Sequence, residues 1–272
     1  MNILFQKNFQ RVFGTFPLSG TELRDAISIA ADVGYRSFDT AQMYGNERDT
    51  GLALRDTGLP RSEICIISKI HPNNYTLANF LESLKTSLQD LMVDQLDVLF
   101  LHWPPDEDSF KQTLELLNKA KDQKLVKNIG ISNFNSKMMD EVKSILETPI
   151  VANQVEFHPL LDQCTLLKKS TETGIPLMSY SAIARGKVFE FDILDKIAAT
   201  YGKTSSQIVL RWVLQKGVVA NSMSTKRKNI EANYNIMDFT LSSVDMATID
   251  ALNSLNYRVV TKEQVPWAPE WD

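Results

Sequence analysis

The sequence predicts an α/β fold: one closed parallel sheet ringed by helices, a (β/α)8 (TIM) barrel over residues 1–272. Three observations point there. Amphipathic stretches alternate with short β-rich runs along most of the chain. The loops between them are short, and no Pro/Gly/Ser linker, low-complexity tract or charge block divides the chain. No GxGxxG follows an early strand, as an open doubly wound sheet would normally show.

The elements follow in order. Residues 21–32 carry apolar side chains at helical spacing, and Gly34 stops them. A short, weak strand at 35–38 ends on Asp39, and residues 46–56 form a helix with a polar face. The β-branched run at 63–68 reads as a buried strand. Residues 76–91 read as a helix capped by Thr76, and LDVLFL at 96–101 as the next strand. A helix over 109–123 precedes the strand 126–131. Ser136 opens a helix that ends before Pro149, and 150–155 is a strand. Helix 163–173 stops at Gly174, strand 175–180 follows, and helices 191–201 and 204–216 break at Gly202 and Gly217. A last short strand at 218–221 precedes helices near 228–236 and 242–255.

Composition narrows the function. With 43% hydrophobic residues, 272 residues suffice for one large core. A formal net charge of −4 leaves no basic excess for a polyanion, which argues against nucleic-acid binding. The two cysteines, Cys65 and Cys164, form no disulfide framework and read as reduced thiols. The N-terminal MNILFQKNFQRVFG lacks a signal-type apolar region, and no stretch of about 18 apolar residues exists. A cytoplasmic protein without membrane attachment is expected.

Four side chains carry the chemistry. Asp39, Lys69 and His102 fall at the C-terminal ends of predicted strands, where barrels of this type keep their active sites. Tyr44 lies in the loop after Asp39. A strand-end Asp alone is most often a helix cap, and a lone His most often a satisfied core residue. Lys69 is harder to dismiss, because a lysine in an apolar run needs a partner, and Asp39 is the obvious one. A phenol with a pKa near 10 can donate a proton to an alkoxide, and a neighbouring ammonium would lower that pKa. His102 can orient a carbonyl oxygen by a hydrogen bond. The hydride such a reduction needs must come from a cofactor, since no side chain supplies one. A Schiff-base lyase or isomerase using Lys69 is the alternative, disfavoured by an ion pair that keeps the amine protonated.

The segments FGTF (13–16), GYRSFDTAQMYGNE (34–47), ISKI (67–70), LFLHWP (99–104), KNIGISNF (127–134), NQVEFHP (153–159) and SYSAIARGKV (179–188) together resemble the aldo-keto reductase superfamily. The likeness is greatest to its bacterial enzymes of the diketogluconate-reductase type and covers nearly the whole chain. It implies a barrel that reduces aldehydes or ketones with a nicotinamide cofactor, with the catalytic tetrad on Asp39, Tyr44, Lys69 and His102. It implies that Ser132, Asn133 and Gln154 hold the carboxamide, that Tyr180 stacks on the nicotinamide ring, and that Gly14, Thr15 and Asp39 lie beside it. Ser181, Ile183 and Arg185 match the loop over the pyrophosphate. Phe16 and Trp103, with Tyr44 and His102, match the substrate walls.

At the adenosine 2′-phosphate position the pattern departs. Ser224 and Asn233 are kept, while Met223 and Asn229 stand where the family usually has Lys and Arg. Lys226, Arg227 and Lys228 in the same segment could substitute, ahead of a helix start. NADPH is therefore expected, with NADH open; no metal is called for. Asp106 and Glu107 read as a solvated turn. The short tail KEQVPWAPEWD implies an open site of broad acceptance, with at least one of Trp267 and Trp271 packed on the barrel. The superfamily also contains cofactor-binding regulatory subunits, and a monomer is its usual state.

Overall fold

The structure, a computed structural model, describes residues 2–272. Eight parallel strands form one sheet: β1 (Arg11–Gly14), β2 (Ser37–Asp39), β3 (Cys65–Ile70), β4 (Leu96–Leu101), β5 (Val126–Ser132), β6 (Ile150–Glu156), β7 (Leu177–Tyr180) and β8 (Ala220–Ser222). They pair in the order β7-β6-β5-β4-β3-β2-β1-β8. The ring closes where Ser179 N donates to Val219 O (2.8 Å) and Val219 N to Leu177 O (3.0 Å). Helices pack outside: α1 (Gly20–Val33), α2 (Glu47–Asp56), α3 (Phe80–Asp90), α4 (Phe110–Asp122), α5 (Ser136–Ile145), α6 (Cys164–Thr173), α7 (Asp192–Tyr201), α8 (Ser205–Gln215), α9 (Arg227–Tyr234) and α10 (Ser243–Asp250). The expected (β/α)8 barrel is thus what forms.

Three local readings need correction. β1 was not among the runs read as strands, since RVFG is only four residues long and opens on a charge. Arg11 is tolerated there because its guanidinium lies 3.9 Å over the Tyr234 ring and donates to Tyr234 O. β3 runs two residues past the expected Ser68, so Lys69 lies inside the strand. Its charge, which ends the apolar pattern, is neutralised by Asp39. Thr76 does not cap α3; it accepts from Asn79 N in a separate turn, and the helix starts at Phe80. The stops at Gly174 and Gly202 stand as expected, both left-handed (φ 69° and 64°) and satisfying C-terminal carbonyls.

The barrel interior divides along its axis. Toward the N-terminal end of the strands, Val12, Cys65, Ile67, Val98, Phe100, Ala152, Met178 and Val219 fill it, and Leu4 closes the bottom. Gly130 makes room for this layer: a Cβ there would meet the Phe100 ring at 2.4 Å. Toward the C-terminal end the filling turns polar, with Asp39, Lys69, Gln154 and Asn221 buried together. No helix among the described residues is long and apolar enough to cross a membrane.

Candidate active site

A cleft of about 750 Å³ opens at the C-terminal end of the barrel. Below it, β2 and β3 stand side by side, and their ends bring Asp39 and Lys69 together. Lys69 Nζ donates to both Asp39 oxygens (2.8 and 2.7 Å), to Thr40 O (2.9 Å) and to the Tyr44 hydroxyl oxygen (3.2 Å). Asp39 also accepts from Gln154 Nε2 on β6 (3.1 Å) and from Asn221 Nδ2 on β8 (3.2 Å). Residues from three other strands therefore share one carboxylate.

This network sets the protonation states. Burial alone would depress the Lys69 ammonium, but Asp39, then Tyr44, outweigh it and the net shift is upward. Lys69 is fully buried and its three N–H groups are all spoken for, so it offers no free amine to the cleft. This removes the footing of the Schiff-base alternative. Burial likewise raises the Tyr44 phenol, and Lys69 offsets only part of that rise. The sequence reading had Lys69 lowering this pKa; the contribution has that sign, but desolvation wins. His102 moves well below its ordinary value, first through burial and then through the Lys69 and His71 charges, so it is a neutral imidazole. Its ring meets the Tyr44 ring edge-on at 5.5 Å.

A lysine has only donors, so the Tyr44 oxygen accepts from it and the phenolic proton is left to point elsewhere. Tyr44 and His102 both line the cleft. Around them stand Phe16, whose ring is 5.0 Å from that of Tyr44, and Trp103, stacked at 6.2 Å on His102. Met43, Val260 and Val265 complete this apolar end.

Beyond it the floor is polar. Tyr180 donates its hydroxyl to Asn133 Oδ1 (2.8 Å), Asn133 Nδ2 donates to His102 O (3.0 Å), and Ser132 Oγ donates to Gln154 O (2.7 Å). Asn133 takes a left-handed φ of 66° to turn its amide into this position. Gly14, Ser181, Ile183, Arg185 and Asn233 also line the cleft. Thr15, Ser224 and Asn229 do not: Thr15 is buried and donates to Asp39 O, Ser224 Oγ accepts from Lys226 N, and Asn229 is exposed. Arg227 is tied to Asp32 (2.7 Å) and Glu231 (3.6 Å). Asp106 and Glu107 lie in an exposed turn, and both tail tryptophans pack, Trp267 against His71 and Trp271 against Trp103.

The sequence reading missed Asn221, Ser222 and the tail residues Val260, Gln264 and Val265, all of which line the cleft. Asn221 could have been found as the polar residue closing the predicted run 218–221. The tail residues carry no signal of their own.

A long cleft with a phenol, a neutral imidazole and a polar floor is the arrangement that comparison with known proteins bears on. Residues 12–254 match the Aldo/keto reductase family. A methylglyoxal reductase of Escherichia coli O157:H7 is 36% identical over 262 residues, covering 95% of this chain and 97% of its own. A crystal structure assigned as a 2,5-diketo-D-gluconic acid reductase B superposes with a TM-score of 0.93 at 38% identity, covering 97% of this chain and 93% of that one. A Bombyx mori aldo-keto reductase solved in complex with NADP superposes at 0.88 with 26% identity, covering 96% and 95%. The chain belongs to the aldo/keto reductase family and is an oxidoreductase that acts on carbonyl and alcohol groups with a nicotinamide cofactor.

Proposed function

We propose that the protein is an NADPH-dependent reductase of small, uncharged aldehydes and ketones, with Tyr44 as proton donor. The observation that carries this is the Lys69–Tyr44 contact, in which the phenol accepts and so keeps its own proton for the cleft. Neutral His102 donates a hydrogen bond to the carbonyl oxygen and fixes its direction toward Tyr44. Asp39 holds Lys69, and through it Tyr44. The apolar surround of Phe16, Met43, Trp103, Val260 and Val265 favours uncharged substrates of the methylglyoxal kind over sugar acids, because it presents no cation to a carboxylate.

The residues present fit a dinucleotide. The cleft is long enough to run from Tyr44 to Met223 and Asn233, and Asn221 Oδ1 at its floor is buried without a partner. Tyr180 would stack on the nicotinamide, with Ser132, Asn133 and Gln154 at its carboxamide and Gly14 beside it. Ser181, Ile183 and Arg185 would face the diphosphate, and Ser224 and Asn233 the adenosine end, with Lys226 and Lys228 nearest an added phosphate. When bound, the reduced cofactor supplies the hydride. A cytoplasmic monomer accords with the family resemblance, and light scattering tests the monomer.

The decisive experiment compares initial rates with NADPH and NADH against methylglyoxal. A clear NADPH preference is expected. Equal rates, or faster turnover with NADH, would remove the phosphate assignment, and no turnover with either would remove the reductase reading.

A further inference from the structure

Glu156, the last residue of β6, is fully buried, yet it lies outside the cleft and takes no part in the Asp39 network. Its Oε1 accepts from Val259 N (2.6 Å) and its Oε2 from Val260 N (2.9 Å). His158 Nε2 faces Oε1 at 2.8 Å, and Gln163 Nε2 donates to the Glu156 carbonyl (2.7 Å). Two successive main-chain amides on one buried carboxyl group form a bidentate grip, which fixes direction as well as distance.

What is gripped is the C-terminal tail. Residues 256–272 contain no helix or strand, only short turns such as that in which Val265 N donates to Thr261 O, so the place of the tail on the barrel depends on contacts with the barrel. Tyr257 N donates to Leu160 O (2.7 Å) just before the grip, and Asn135 Nδ2 reaches Glu270 O (2.9 Å) near the far end. Between these ties lie Val260, Gln264 and Val265, the tail residues that line the cleft. Glu156 also sits in register with Tyr180 on β7, so the grip shares a sheet position with the cleft floor.

We propose that Glu156 is a positioning residue for substrate selection. By fixing the Val259 and Val260 amides, it holds Val260, Gln264 and Val265 as one wall of the cleft and thereby sets the size of carbonyl compound admitted. The proposal rests on reading the apolar end of the cleft as the carbonyl site.

Glu156→Gln tests it with little change of volume, since one acceptor becomes an amide donor facing a main-chain N–H. Amide hydrogen exchange should quicken at Val259 and Val260 by about tenfold, while Phe157 and Asn133 keep wild-type rates. With NADPH, the kcat/KM ratio of benzaldehyde to methylglyoxal should shift by about tenfold, chiefly through the KM for benzaldehyde. The kcat for methylglyoxal should stay within about twofold. Unchanged exchange at the two valines, or equal losses with both aldehydes, would overturn the proposal. Should Glu156→Gln fail to fold, Val260→Ala carries the test: it leaves the grip intact but recesses the wall, and must shift the same ratio. A ratio that Val260→Ala leaves unmoved overturns the proposal alone. A wild-type enzyme that reduces neither aldehyde overturns it together with the reading of the cleft.

Discussion

At the floor of the cleft, Lys69 divides its three protons among Asp39, Thr40 and Tyr44, and Asp39 accepts from three side chains on three strands. At the outer rim, Lys226, Arg227 and Lys228 are exposed, and the one with strong partners, Arg227, is committed to Asp32 and Glu231. The two regions hold charge by opposite means. In the floor, low dielectric makes each unpaired group expensive, so every polar atom constrains its neighbours and the geometry is rigid. At the rim, water screens the cations, so any one of them can move or be replaced with little effect. Chemistry that needs a proton at a fixed point belongs in the first region, and tuning for one cofactor over another in the second.

The comparison breaks most visibly at Tyr44. Tyr44→Phe removes only the hydroxyl, so kcat for methylglyoxal should fall by about 10³-fold or more while the cofactor dissociation constant stays near wild type. Steady-state kinetics beside fluorescence titration of the cofactor decide this, and a variant with most of its rate intact would exclude Tyr44 as proton donor. Lys69→Met should lower kcat by about 10²-fold and also destabilise the fold. It strands the Asp39 carboxylate in the interior, where removing one partner of a buried pair costs about 3–5 kcal/mol. Thermal unfolding should show the loss, and an unchanged Tm would mean that Gln154 and Asn221 alone satisfy Asp39.

The same contrast explains what could be read from sequence. Asp39 and His102 each have an ordinary structural reading alone, but beside a lysine in an apolar run, all at strand ends, they stood out together, and the structure brings all three beside Tyr44. Lys69 hid the true end of β3 for the same reason: the pattern stops at a charge, whereas the strand continues once that charge has a partner. Asn221 went unnoticed because it closes the predicted run 218–221 with an uncharged amide, a weaker signal than a charge; in the structure it is the middle residue of β8. The wall made by Val260, Gln264 and Val265 was illegible in principle. Its place depends on a contact between residues more than 100 positions apart, and neither the strand end at Glu156 nor the irregular tail announces the other.

The floor also predicts a pH profile. With Tyr44 as the proposed proton donor, reduction would need the protonated phenol, and burial holds the Tyr44 pKa above the ordinary tyrosine value. The rate should therefore stay level through neutral and mildly alkaline pH and fall only above the ordinary tyrosine value of about 10. On the acid side, His102 stays neutral until its lowered pKa is reached, so no break should appear near the ordinary histidine value. A kcat profile with a midpoint near neutrality would contradict one shift or the other, because it would require a phenol ionising far below its ordinary value or an imidazole titrating as if exposed.

The rim gives the smallest effect and the sharpest contrast with the floor. Lys226→Ala combined with Lys228→Ala should raise the KM for NADPH by about threefold and leave that for NADH unchanged, since on the proposed reading only the added phosphate would meet those charges. Arg227→Ala should move either value less, because its guanidinium is already held between α1 and α9 by Asp32 and Glu231. Arg185 differs from all three. It lines the cleft and has no ion pair among the described residues, so Arg185→Ala should weaken both cofactors alike. Raising the salt concentration separates these cases: the lysine effect should fade as screening grows, whereas the Tyr44 and Lys69 effects, buried beyond its reach, should not. A lysine effect that survives high salt would mean that the rim is built as rigidly as the floor, and the division between the two regions would fail.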